Sequence, residues 1–313
     1  RQQKQQQGRV RLNNAALDAL LTAREPDEFA DHWQRISTNF DLLYDHPETI
    51  DKLRAAILQL AVQGKLVPQD PNDEPASVLL ERTKAEKEQL IKESKAKRQK
   101  RVPQISEKDK SFPVPTGWEW ARLTDIAETL DPNPSHRYPS YKGGSVPLLS
   151  TREFEGRDGW TKGKSKLVPN DFYDYQTELC QFDDRDIIFA RKGRLGLARK
   201  LPKMPKYTFS HTLFLVKPSI DIFEDYLLWF LRRDQCVEWL LIAMNSNTGV
   251  PTLGKGIFES IPVPLPPLEE QKRIVAKVDQ LMVLCDELEA KLNQAQQHGE
   301  KLMEATVRKL LVA

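Results

Sequence analysis

Residues 261–292, IPVPLPPLEEQKRIVAKVDQLMVLCDELEAKL, constrain this chain more than any other stretch. Pro262, Pro264, Pro266 and Pro267 exclude a helix interior over the first residues. The reading therefore starts a helix at Pro266 or Pro267, where proline suits the first turn, with Glu269 and Glu270 at the positive end of the helix dipole. Ile274, Val278, Leu281, Cys285, Leu288 and Leu292 then recur at alternating steps of four and three. That a/d spacing, held for about three heptads between charged flanks, asks for a partner helix. An amphipathic helix lying on its own domain is the plainer alternative.

The ends of the chain carry a second signal. Residues 1–23 and 291–313, aligned without gaps, share Gln6/Gln296, Gln7/Gln297, Leu12/Leu302, Ala15/Ala305, Leu20/Leu310, Leu21/Leu311 and Ala23/Ala313. Two Gln- and Leu-rich helices match partly by composition; the sharper reading is a duplicated unit in a longer parent. On that reading Arg1 is a cut, and 1–23 pairs antiparallel with 270–313.

Between these ends the texture changes twice. Phe29, Trp33, Ile36 and Phe40, then Ile50, Leu53, Ile57 and Leu60, keep helical spacing, with Gly64 as a C-cap. Residues 76–101 form a charged helix ending in Lys95, Lys97, Arg98, Lys100 and Arg101, and 102–116 form a proline-bearing linker. From Trp118 onward short strands are expected: 118–123, 145–150, 186–191 and 207–217. A single apolar helix is expected over 222–244, and a Gly-rich loop over 245–256. The fold class is α+β, a compact strand-rich domain inserted between long helices that form an antiparallel coiled coil. Its boundaries are read as 1–101 helical, 102–116 linker, 117–265 inserted domain and 266–313 C-terminal helix.

Catalytic motifs are near misses. Asp131–Pro134 reads DPNP, and Gly163-Lys164-Ser165 lacks the first glycine of a phosphate loop. Asp183, Asp184 and Asp186 have no downstream Glu-x-Lys partner, and His211, flanked by strand residues, reads as a hydrogen-bonding structural histidine. Cys180, Cys236 and Cys285 are too scattered for a disulfide framework or a zinc site, so no metal is expected. No apolar run spans a membrane, and a cytoplasmic protein is expected. Net charge is only +2, so any nucleic-acid surface must be local. Arg152, Lys164, Lys166, Arg191, Lys192, Arg194, Thr248 and Lys255 lie in loops beside Gly, Ser and Thr and form the candidate DNA-facing set. Scattered surface charge gives the same spacing.

The segments LPPLEEQKRIVAKVDQLMVLCDELEAKL (265–292), KLRAAILQLAVQGKLVPQDPNDEPASVLL (52–80) and PVPTGWEWARL (113–123) resemble the specificity subunit of type I restriction-modification enzymes. DIIFARKGRLG (186–196) is similar to the family's strand-and-glycine turn. The resemblance implies two target-recognition domains separated and followed by conserved helices; this sequence carries one such domain. It implies a non-catalytic chain that reads one half of a bipartite site in double-stranded DNA. It also implies docking of methyltransferase subunits and, through them, a restriction subunit, with pairing of two half-subunits as a further expectation. S-adenosylmethionine, ATP and magnesium belong to those partners, and this chain is expected to hold no cofactor. A coiled-coil scaffold without DNA contact and a stand-alone DNA-modifying enzyme are the rival readings.

Overall fold

The computed structural model describes residues 2–23, 26–44, 47–94, 102–161, 163, 165–244 and 252–312. They fall into two compact units, one of residues 1–70 with 273–313 and one of residues 71–272.

The first unit is helical: α1 (Gln2–Thr22), α2 (Pro26–Thr38), α3 (Phe40–Leu43) and α4 (Pro47–Val62). The periodic residues behave as read. Ile50, Leu53, Ile57 and Leu60 are fully buried, and Phe29, Ile36 and Phe40 join them. Each such side chain contributes about 1.5–3 kcal/mol of burial. Gly64 takes φ +69°, Lys65 N–H bonds Leu60 O and Gly64 N–H bonds Ala61 O, the Schellman closure that a glycine at this position permits.

The long C-terminal helix, Leu268–Val312, begins after the prolines. From Arg273 it belongs to the helical unit. Ile274, Val278, Leu281 and Cys285 are buried with Val275 and Met282, whereas Leu288 and Leu292 are half-buried. The buried stripe is thus broader than a strict a/d seam and fades after Leu292. Arg54 of α4 forks onto it, with Nη2 at 2.7 Å from Asp286 and 2.6 Å from Glu289 and Nη1 at 3.1 Å from Asp51. The expected pairing of 1–23 with 270–313 is not the main packing of α1, which lies on α2, α3 and α4. Asn13, buried, donates to Leu43 O at 3.2 Å, anchoring α1 there.

The second unit opens with α5 (Ala76–Ser94), and its strands and helices follow in order. They are β1 (Glu119–Arg122), α6 (Leu123–Ile126), β2 (Ala127–Leu130), β3 (Val146–Leu149), β4 (Phe154–Glu155), β5 (Gly159–Trp160), β6 (Lys166–Val168) and α7 (Asn170–Cys180). Then come β7 (Ile187–Ala190), β8 (Ala198–Lys200), β9 (Thr208–Phe209), β10 (Leu213–Pro218), α8 (Glu224–Leu231), α9 (Asp234–Met244), α10 (Lys255–Glu259) and β11 (Pro262–Leu265). The long helix is α11.

Four strands in the order β2-β10-β7-β8 form an antiparallel sheet. Its central strands are apolar on both faces: every residue of Ile187–Ala190 and of Leu213–Val216 is buried. One face packs Ile188, Ala190, Leu213 and Leu215 against Leu149, Phe154, Phe209 and Cys180. The other sets Phe189 and Phe214 on Phe258 of α10, with ring centroids 4.5 and 5.3 Å apart. Double coverage explains why these strands read as continuous apolar runs. The second sheet, β6-β3-β9, is mixed, with β3 and β9 parallel.

Several expectations are corrected. The proline run is not merely a helix lead-in: Pro262–Leu265 is β11, paired antiparallel with β1, and Pro262 and Pro264 are tolerated because a two-stranded ribbon leaves one edge of each strand free. Residues 207–217 are two strands parted by a turn at 210–212, and 222–244 is two helices parted at Arg232–Arg233. The break lets Arg232 donate to Ala198 O and pair with Asp158.

The domain limits also differ from 1–101/102–116/117–265/266–313. α5 sits with the strand-rich unit, where Arg82 pairs with Asp221 at 3.0 Å and Lys87 donates to Thr124 O at 2.6 Å. The expected linker is held as well. Arg122, 7% exposed, donates to Pro103 O, Gln104 O and Ser260 O and pairs with Asp109 at 2.9 Å. The basic run 95–101, read from sequence as the end of this helix, lies outside the described residues.

Leu281→Asp is expected to cost on the order of 3 kcal/mol, because a carboxylate would enter a fully buried position without a partner. Chemical denaturation reads this; an unchanged midpoint would contradict the buried stripe.

Candidate nucleic-acid interface

The strand topology gathers loops at one rim. The register sets Leu130 beside Leu215, Ala190 beside Leu213 and Phe189 beside Ala198, so Asp131, Arg191 and the turn 210–212 emerge at the same end of the four-stranded sheet. The parallel pair β3/β9 sets Leu149 beside Phe209 and delivers Ser150–Arg152 next to that turn, where Ser210 N–H bonds Leu149 O at 2.8 Å. β9 and β10 are consecutive, so the turn 210–212 is also where the chain crosses from one sheet to the other.

Gln176 of α7 locks this crossing. Fully buried, it donates to Pro132 O at 2.9 Å and Phe209 O at 2.8 Å and accepts from Phe209 N–H at 2.8 Å. The loop after β2 is thereby tied to β9. Within that loop Asn133, also buried, donates to Arg137 O, while its backbone N–H bonds Asp131 Oδ1 at 3.0 Å. His136 rides on this frame with φ +53°.

The sequence-derived residues divide on inspection. Arg152 is exposed in a short 3-10 turn capped by Ser150 and Glu153. Lys166 is exposed at the start of β6, its Nζ 4.6 Å above the Tyr141 ring. Arg194 is exposed and leans on Thr151 O and Phe154 O at 3.4 Å. Lys192, half-buried, bridges to Thr252. Loops 150–152, 191–194 and 252–253 therefore meet. Lys255 opens α10 and pairs with Glu259 at 3.5 Å. Lys164 and Thr248 lie outside the described residues, as does most of the Gly-rich loop.

Arg191 needs a correction. Its expected part was to read base edges, but its guanidinium is 11% exposed and held by three neighbours. It pairs with Asp131 at 2.7 Å, donates to Leu253 O at 3.1 Å and lies 4.4 Å above the Phe214 ring. Those contacts make it a fastener between the loops. Gly193 and Gly196 do take the positive φ values their turn requires, +81° and +91°, and a Cβ on Gly196 would collide with Val237.

Sequence reading missed the polar group beside Arg191. Tyr138 Oη lies 2.5 Å from His211 Nδ1 and accepts the His211 backbone N–H at 3.1 Å. The His136 and His211 rings stack at 4.8 Å, and His136 Nε2 is 3.4 Å from Asp131. The DPNP segment and His211 both stood out in the sequence, but nothing in their separation along the chain joins them. Burial, then His136, Lys192 and Arg191, hold the His211 imidazole below the ordinary 6.5, against the pull of Asp131. Among the described residues no group of His, Cys, Asp and Glu is arranged to hold a metal, and no helix is long and apolar enough to cross a membrane.

Two measurements follow from this geometry. Arg191→Ala should lower stability by about 2–4 kcal/mol, since it takes the guanidinium partner from Asp131 and the Leu253 carbonyl, whereas Lys166→Ala should stay within about 0.5 kcal/mol. Equal losses in urea melts would refute the fastener role. A histidine depressed in the folded state binds its proton more readily when unfolded, so its stabilising contribution is complete above 6.5 and lost as pH falls from there towards the folded value. The fall in melting temperature from pH 7 to 5 should be shallower in His211→Asn than in the unmodified chain.

The family model for the type I restriction modification DNA specificity domain matches residues 115–296. The chain is 33% identical to the type I restriction enzyme EcoEI specificity subunit of Escherichia coli, over 94% of this chain and 50% of that protein. It is 38% identical to the EcoAI specificity subunit of the same species, over 77% of this chain and 41% of that protein. Among solved structures, the HsdS subunit from Thermoanaerobacter tengcongensis is similar at 18% identity and a TM-score of 0.41, covering 85% of this chain and 56% of that one. The chain spans about half the length of the curated relatives it matches.

Proposed function

This chain belongs to the type I restriction-modification DNA specificity family, and from that membership we propose that it selects a DNA sequence on behalf of catalytic groups carried by other chains. The observation that supports the reading best is the meeting of loops 150–152, 191–194 and 252–253 at one rim of two sheets, with Arg152, Lys166 and Arg194 exposed around it. Lysine and arginine side chains there neutralise phosphates and set the register of the duplex, and sequence is read by groups that reach base edges.

The chain carries one strand-rich unit and spans about half of its relatives, so we assign it one half of a divided DNA site. The helical unit is assigned to docking a methyltransferase subunit, and a restriction subunit through it. A second copy of this chain, or the rest of a longer parent, would supply the other half-site. In this scheme S-adenosylmethionine, ATP and magnesium act on the partner chains, and the residues described above orient the duplex without breaking or forming a bond.

Arg152→Ala and Lys166→Ala should each weaken binding to every duplex alike and reduce the slope of log affinity against log salt by about one. Titration of labelled duplexes at several salt concentrations measures both; an unchanged slope in the double variant would place the phosphate track elsewhere.

A further inference from the structure

The strongest apparent base reader of this rim, Arg191, is spent on Asp131, Leu253 and Phe214, so reading falls to another group. His211 occupies the position the topology favours, in the turn where β9 hands the chain to β10 and where the ends of β2, β3 and β7 meet. It is half-buried, and its Nε2 has no hydrogen-bond partner among the described residues.

The network fixes its chemistry. Tyr138 Oη receives the backbone N–H of His211 and has a single proton of its own to give. Directed at Nδ1, 2.5 Å away, that proton leaves the neutral imidazole with its hydrogen on Nε2. The positive neighbours Lys192 and Arg191, and the His136 ring stacked on one face, favour the same neutral state. A ring gripped at one edge and covered on one face loses little freedom on binding. Holding His136 in place also requires a left-handed backbone at a non-glycine residue. Such local strain concentrates at functional sites.

We propose that the Nε2–H of His211 reads DNA by donating to a purine N7 in the major groove, with Tyr138, His136 and Asp131 as its positioning residues; the proposal rests on the DNA-recognition reading above. A lone donor cannot meet the amino groups of adenine or cytosine; of the acceptors that remain in the major groove, guanine O6, thymine O4 and the purine N7, the proposal commits to N7, which adenine and guanine share. The contact therefore selects purine over pyrimidine at one position and leaves adenine and guanine equal there.

The test uses the whole chain and a random duplex pool at fixed salt. The unmodified chain should enrich a site containing one purine-degenerate position, and His211→Ala should lose about tenfold or more of that preference while keeping its affinity for the bulk pool. In the selected duplex, 7-deazapurine at that position should cost the unmodified chain the same factor and cost His211→Ala nothing. The deaza arm on the unmodified chain needs no variant and stands if His211→Ala does not fold. A deazapurine without effect at every purine of the site, or a variant with the full original preference, would overturn the proposal. Absence of salt-dependent binding to any duplex would instead remove the DNA-recognition reading on which it rests.

Discussion

A single buried amide holds the strand-rich unit together where its two sheets meet. Gln176 reaches from α7 to the junction of two sheets and satisfies two carbonyls and one N–H there. No other side chain type offers a donor and an acceptor side by side at that length, apart from the shorter asparagine. Its loss would leave three buried backbone groups without partners, each costing about 1–3 kcal/mol. Two segments of the rim inherit their place from this bond set: Pro132 leads into the loop that carries His136 and Tyr138, and Phe209 leads into the turn that carries His211.

The same logic of buried polar fasteners recurs through the unit. Arg122 gathers three carbonyls and a carboxylate, and Arg191 joins Asp131 to Leu253. Arg199, 1% exposed, lies 3.7 Å above the Phe154 ring and donates to the carbonyls of Gly156 and Gly159. The strands are short, some of only two residues, and backbone ladders alone cannot hold them. Arginine suits this work because one planar group offers several donors in fixed directions.

That division explains what was legible beforehand. Elements defined by apolar periodicity, such as α4 and the buried stripe of α11, follow from local spacing. So do β3 and β7, whose apolar runs reflect burial on both faces. The two-residue strands have no periodicity to detect, and the kink at Arg232–Arg233 answers to contacts with Ala198 and Asp158 far along the chain. At the rim, Arg152, Lys166 and Arg194 were legible as basic residues in loops. The inward turn of Arg191 was not, because Asp131 lies 60 positions away. The alliance of Tyr138 with His211 spans 73 positions, and only the fold makes it visible.

The ribbon β1–β11 has a further consequence. Ala76 N–H bonds Gly117 O at 2.8 Å, Trp118 Nε1 donates to Glu270 at 2.9 Å, and Gly117 lies against Pro267. The places where the chain enters the strand-rich unit, begins its first strand and leaves it are thus one doorway. A unit with a single doorway behaves as a cassette. Recombination that keeps the doorway and exchanges what lies beyond it would deliver a new rim without redesigning the frame.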